Sequence, residues 1–247
     1  MHRGARPGKL ERGWLAPGGV AAALAVGAAV AWGYGWRGLV VLFAFFLSGS
    51  LLTQLAERRA PRRTARQVIA NGGVAAVAAW LGAWPAAVGA IAAATADTWA
   101  TELGAFSPFA PRLITTGARV SRGASGGITA LGTAGGVVGA LVIAALAVLL
   151  EPRGMAPASV YPRSTHSLAL LTAAGVLGML GDSVLGATLQ GKYECPACDA
   201  RFERGNNVCH EPVRLTRGWR WLDNDGVNLA ATLVGATVAA LGAGYSP

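Results

Sequence analysis

Seven apolar stretches, at residues 14–32, 37–55, 68–82, 84–104, 126–150, 167–190 and 226–244, constrain this chain more than any other feature. A helix rises 1.5 Å per residue, so about 20 residues cross the hydrocarbon core of a bilayer. Most of the stretches are close to that length. The expected fold class is therefore all-α: a polytopic transmembrane helical bundle of about seven helices, forming one domain over residues 1–247. The third stretch is short. It is either re-entrant or begins earlier, at Arg66.

Composition agrees. Hydrophobic residues make up 53% and charged residues only 13%, too little charge to cover a water-soluble domain of this size. The 35 glycines suit helices that pack closely in lipid. In a soluble protein the net charge of +9 would point to nucleic acid; here membrane lipid is the expected partner, with no nucleic acid. The basic N-terminus precedes an apolar run long enough to span, which reads as a retained signal anchor rather than a cleaved signal peptide.

The basic residues also orient the bundle. With seven crossings, 18 of the 21 lysines and arginines fall on the side of the N-terminus, and only Arg37, Arg153 and Arg163 on the other. The positive-inside rule then makes the N-terminus cytoplasmic and the C-terminus external. A third stretch that failed to cross would destroy this asymmetry. Trp32, Trp36, Trp80 and Trp84 fall at the expected outer boundaries and Trp14, Trp219 and Trp221 at the inner ones, as interfacial belts require.

Ionisable side chains inside apolar helices are costly and mark function. Asp97 and Glu102 lie near the end of the fourth stretch, Asp182 lies in the sixth, and Asp223, Asp225 and Asn228 open the seventh; Asn71 opens the third. Asp97 is 13 residues beyond Trp84 and Asp182 is 15 beyond Ser167, each about 20 Å along a helix that starts outside. All of these groups should meet in the cytoplasmic leaflet. Carboxylates so gathered (Asp97, Glu102, Asp182 and Asp225) suit Mg²⁺, which prefers carboxylate and phosphate oxygen. The alternative is capping and hydrogen bonding within the bundle. Asp97 and Glu102 are five residues apart, about 140° round a regular helix, so both face one site only if the helix bends or ends between them.

Between the fourth and fifth stretches, Arg112, Thr115, Thr116, Arg119, Ser121, Arg122, Ser125 and Gly126 offer guanidiniums, hydroxyls and flexible backbone ahead of a helix N-terminus, all suited to phosphate oxygens. No Gly-Lys-Ser/Thr of a nucleotide-binding P-loop occurs there. Within the polar segment 191–221, Cys195, Cys198, Cys209 and His210 form a possible structural zinc knuckle, with a redox dithiol as the rival.

The blocks Gln67–Gly73, Ala96–Gly104, Pro111–Gly117, Ser125–Thr129, Asp182–Gln190 and Leu222–Asn228, in this order, resemble the domain-of-unknown-function-92 family of integral membrane proteins, which includes transmembrane protein 19 and a plant phytyl-phosphate kinase. The resemblance implies phosphoryl transfer from a nucleoside triphosphate to a prenyl monophosphate of phytyl, geranylgeranyl or farnesyl type. The isoprenoid tail would lie in the bilayer and its phosphate at the cytoplasmic leaflet of the cell membrane. Asp97, Glu102, Asp182, Asp225, Asn228 and Asn71 would then form the catalytic set, with the arginine- and serine-bearing loop on phosphate. The cysteine knuckle resembles prokaryotic members rather than the plant enzyme. A transporter or flippase, or a lipid-phosphate nucleotidyltransferase, would use similar groups; neither these alternatives nor the oligomeric state is decided by the residues.

Overall fold

The protein is described from a computed structural model, which covers residues 13–56, 61–151, 165–198, 201–202 and 212–244. Helix α1 (Pro17–Ala56) is interrupted at Gly35, whose φ of 59° and ψ of −147° only glycine adopts without strain. The chain folds back there. Trp14 meets Phe46 edge-on at 5.7 Å, and a side chain at Gly38 would lie 2.7 Å from Val30. A straight helix would hold residues 14 and 46 nearly 50 Å apart. The first two apolar stretches are thus the antiparallel arms of a helical hairpin.

Helix α2 (Ala65–Trp80) begins where local chemistry starts it: Thr64 and Gln67 form a reciprocal capping box. The third stretch therefore does begin earlier, just before Arg66. It is followed by α3 (Trp84–Gly104), with proline in its first turn, and by α4 (Ala130–Leu149), where Thr129 Oγ1 accepts from the Gly132 N–H at 3.0 Å. Helix α5 (Thr165–Thr188) and α6 (Asn224–Gly244) complete the set, the last capped by Asp223 Oδ1, which accepts from Gly226 N at 3.2 Å.

The expectation of an all-α chain needs one correction. The polar connections carry two small antiparallel sheets: β1 (Arg112–Leu113) with β2 (Gly127–Ile128), and β3 (Lys192–Glu194), β4 (Arg201–Phe202) and β5 (Arg214–Arg217) in the order β4-β3-β5. Strands of two to four residues are too short to show a readable alternation.

Helices α1, α4, α6 and the segment Ser167–Thr188 of α5 are long and apolar enough to cross a membrane. Helix α3 is less apolar because it has little need to face lipid: every residue from Pro85 to Ala96 is buried. Its alanines and glycines let neighbouring backbones approach. Gly89 packs on Gly235 of α6, Gly175 of α5 packs on Ala92, and Gly178 of α5 sits between Ala93 and the Ala231 carbonyl. The two ends of the bundle differ. Trp32 stacks on Trp80 at 6.2 Å and Tyr34 meets Trp84 at 4.7 Å at one end. The other holds both sheets, the Trp219–Trp221 stack at 5.1 Å, and the contact of Leu15 with Arg63. The aromatic residues thus divide between the ends as the sequence led us to expect.

Candidate functional site

The site is fixed by the contact at Ala93, where α3, α5 and α6 meet. Gly178 packs on Ala93, and Asp97 and Asp182 each lie four residues further along the same face of their helices. Helix α6 runs the opposite way: Gly89 meets Gly235 and Ala239, whereas Ala93 meets Gly235. Continuing that register brings Val227 and Asn228 level with the two aspartates. Asp97, Asp182 and Asn228 are all partly exposed, so this level of the bundle is open. Thr232 Oγ1 donates to the Ala70 carbonyl at 3.2 Å, which brings the neighbouring Asn71 alongside α6.

The other carboxylates go elsewhere, and here the expected four-carboxylate cluster is corrected. Glu102 lies on the opposite side of α3, as the 140° offset from Asp97 implied. It accepts from Thr53 Oγ1 of α1 at 2.6 Å. It also faces Arg63, whose guanidinium burial pushes below its ordinary value while the Glu102 charge works against that shift. Asp225 is only 4% exposed and lies 3.5 Å from Arg66 Nε; Arg66 Nη2 also meets Asp223 at 3.1 Å. These pairs tie the end of α1, the connection after it and the first turn of α2 to α3 and α6. Among the described residues, no three His, Cys, Asp or Glu side chains gather as a cation site. What the fold leaves at this level is Asp97 on α3 and Asp182 on α5, each four residues beyond the Ala93–Gly178 contact.

The loop from Arg112 to Gly126 closes over this end. Arg122 donates to the Ala105 and Ser107 carbonyls, each at 2.7 Å, and Arg112 to the Gly117 carbonyl at 2.8 Å. Both guanidiniums therefore hold the loop and the end of α3 in shape. Thr115, Thr116, Arg119 and Ser121 are exposed, and Thr116 Oγ1 accepts from Ala118 N at 3.3 Å. Gly126, at φ +80°, sits directly on Ala187 of α5; beside it, Gly186 lies one turn beyond Asp182 on the same face. The loop backbone is thus seated one helical turn from a carboxylate.

A cavity of about 700 Å³ opens beside this seat. Arg119, Ser121 and Ser125 line one wall, and Lys192, Glu194 and Arg217 of the three-stranded sheet line the other. Lys192 Nζ donates to the Ser125 carbonyl and Arg217 Nη2 to the Gly186 carbonyl, both at 3.3 Å. Sequence reasoning missed Lys192 and Arg217. The signal was a run of basic residues flanking the cysteines, which read only as lipid-facing charge. Cys195 is fully buried immediately after β3, and Cys198 is exposed at the end of the turn, its N–H 3.4 Å from the Cys195 carbonyl. Cys209 and His210, the other half of the expected knuckle, lie outside the described residues.

Comparison with known proteins gives the same picture of a membrane chain. The family model "Integral membrane protein DUF92" matches residues 8–236. The uncharacterized membrane protein MJ0933 of Methanocaldococcus jannaschii is 31% identical, over 84% of this chain and 76% of its own length. Protein PGR of Arabidopsis thaliana is 30% identical, over 85% of this chain and 83% of its own. Protein VTE6, chloroplastic, from the same plant is 25% identical, over 92% of this chain and 65% of its own. No solved structure matches. With nearly the whole bundle, its aspartate-bearing helices and the loop between α3 and α4 inside the matched residues, the chain belongs to the integral membrane protein family DUF92.

Proposed function

We propose that this protein is an isoprenoid-phosphate kinase-like phosphotransferase, moving a phosphoryl group from a nucleoside triphosphate to a prenyl monophosphate at the cytoplasmic leaflet. One observation carries the reading: Asp97 and Asp182 come level in an open part of an apolar bundle, one turn from a loop seated by Gly126. Carboxylates at that depth are costly unless they serve a charged partner. A lipid phosphate is such a partner, since its tail can lie against α4, α5 or α6 while its head reaches the aspartates.

In this reading the chain crosses the membrane seven times, through the two arms of α1 and the five other helices. The N-terminus is cytoplasmic and the C-terminus external. The distribution of 18 of 21 basic residues supports this arrangement. It also puts the loop, the small sheets and the aspartates on the side where nucleotides are found.

A prenyl monophosphate is already ionised and needs no strong general base. One of its oxygens attacks the γ-phosphorus of the nucleotide; the bond from that phosphorus to the β–γ bridging oxygen breaks, giving prenyl diphosphate and nucleoside diphosphate. Asp97 and Asp182 would hold Mg²⁺, which supplies charge neutralisation between the two phosphate chains. Asn71 and Asn228 lie alongside as neutral hydrogen-bonding groups that orient the phosphates without adding charge. Ser125, Gly126 and Arg119 are placed to position phosphate oxygens in line. Arg112 and Arg122 hold the shape of the loop.

Purified protein incubated with labelled nucleoside triphosphates, Mg²⁺ and farnesyl, geranylgeranyl or phytyl monophosphate should yield the labelled prenyl diphosphate. No diphosphate from any combination would sink the reading. The buried Cys195 and its turn further support a structural zinc, with Cys198, Cys209 and His210 completing the ligand set. Protein purified without chelator should then carry about one zinc per chain; a ratio near zero would remove the metal from the proposal.

A further inference from the structure

We infer that Gln190 is a further ligand-binding residue, whose buried side-chain amide donates to a phosphoryl oxygen held between the end of α5 and the Ser125–Gly126 turn. The inference rests on the phosphotransferase reading for the identity of that ligand, but its argument is geometric. Gln190 is only 1% exposed, one of the largest side chains that the fold covers completely. Its Nε2 has no hydrogen-bond partner among the described residues. A donor so placed has given up water without a replacement, which is costly, and folded chains keep few of them.

The backbone holds this side chain where it is. Gln190 N donates to the Leu185 carbonyl at 3.0 Å, just past the end of α5. On either side, the Leu189 carbonyl accepts from Trp219 N and Gly191 N donates to the Leu222 carbonyl, both at 2.8 Å. A Cβ at Gly218, whose φ is +76°, would collide with the Gln190 carbonyl, so only glycine lets the two segments close on it. The residue is thus clamped where α5, the three-stranded sheet and the approach to α6 meet.

The amide points into the seat of the loop. A Cβ at Gly186 would lie 3.2 Å from Gly126 N, 3.3 Å from Gln190 Oε1 and 3.4 Å from Ser125 Cβ, so the three converge on one point. Asp182 is one turn back from Gly186 on the same face of α5. The last torsion of a glutamine is soft, and turning it presents Nε2 where Oε1 now lies. The chemistry of the group names what it would bind. An amide N–H takes an acceptor, not a cation. Being neutral, it is buried without the cost of an ionised lysine or arginine, yet it makes a charge-assisted bond to an anionic oxygen. Phosphoryl oxygen is the acceptor that both substrates of the proposed reaction carry, on the lipid monophosphate and at the end of the nucleotide.

The test is calorimetric titration and thermal unfolding of the full-length protein in detergent with Mg²⁺. The probes are farnesyl monophosphate, farnesol as its phosphate-free control, and non-hydrolysable analogues of the four common nucleoside triphosphates. Gln190→Met, unbranched and of similar length, should weaken at least one phosphate ligand by about ten- to a hundredfold. Farnesol affinity should hold within about twofold, and the variant should unfold no earlier than wild type, because an unpaired buried donor has been removed. Loss confined to farnesyl monophosphate assigns the amide to the lipid head, and loss confined to a nucleotide analogue assigns it to the terminal phosphate. Loss of both sets it between them. Gln190→Leu carries the same expectation and decides the matter where Gln190→Met fails to fold. Four outcomes would overturn the assignment: no phosphate ligand bound by wild type, phosphate affinities unchanged in the variant, farnesol weakened as much as its phosphate, or earlier unfolding of both variants. The two readings fail separately. Phosphate binding that depends on Gln190 without diphosphate formation removes the kinase and keeps the donor; diphosphate formation with unchanged affinities in Gln190→Met does the reverse.

Discussion

Asp97→Asn and Asp182→Asn are each expected to lower prenyl diphosphate formation by about a thousandfold or more, while leaving the protein as stable as before or more so. The two halves of that expectation come from the same physics. A carboxylate in the apolar level of a bundle is poorly solvated, so replacing it with a neutral amide of the same shape relieves a cost in the folded state. If these aspartates served the fold, as Asp223 does in capping α6 and Asp225 in meeting Arg66, the same change would lower stability. Turnover and thermal unfolding in detergent, measured on both variants, separate the cases. Wild-type turnover in both, or loss of stability with residual turnover in proportion to folded protein, would take the pair out of the site.

The bundle was legible because lipid imposes one simple pattern: long apolar runs, basic residues to one side, tryptophans at the ends. Even the hairpin in α1 was visible as two runs separated by Gly33-Tyr-Gly35-Trp36, although not that Gly35 alone turns the chain. The start of α2 was half legible, since a capping box is a local signal and Thr64 with Gln67 states it.

The site was less legible because its geometry depends on partners distant in the chain. Counting residues along each helix put four carboxylates in one leaflet. Depth does not specify azimuth, however, and Glu102 turns to Thr53 and Arg63, while Asp225 is taken by Arg66. The same holds for the loop arginines. Arg112 and Arg122 look like phosphate ligands in sequence, yet their donors go to backbone carbonyls, whereas Arg119 is left facing the cavity. Lys192 and Arg217 were hidden for another reason: strands of three and four residues give no periodic signal, so nothing announced that they would be paired.

Gly126→Ala should be strongly damaging, and Gly123→Ala, three residues away, should be mild. Both glycines have left-handed backbone, φ +80° and +78°, so both variants carry a similar conformational cost of roughly 1 kcal/mol. Their surroundings differ. A Cβ at Gly123 meets nothing within 4 Å, whereas one at Gly126 lies 2.5–2.7 Å from the Cβ, N and Cα of Ala187. Backbone atoms in the last turn of α5 cannot swing away as a side chain can, so the loop must lift instead. That movement strains the 2.9 Å hydrogen bond from Ile114 N to the Gly126 carbonyl and shifts Ser125 relative to Asp182. The helices of the bundle do not depend on this contact, so the protein should remain folded. Diphosphate formation should fall by about a hundredfold in Gly126→Ala and by less than about threefold in Gly123→Ala. A readout independent of catalysis accompanies it: trypsin should cut faster after Arg119 and Arg122 in the Gly126 variant only, because the lifted loop exposes its backbone. Equal cleavage rates in the two variants would show that the loop is not held by this seat.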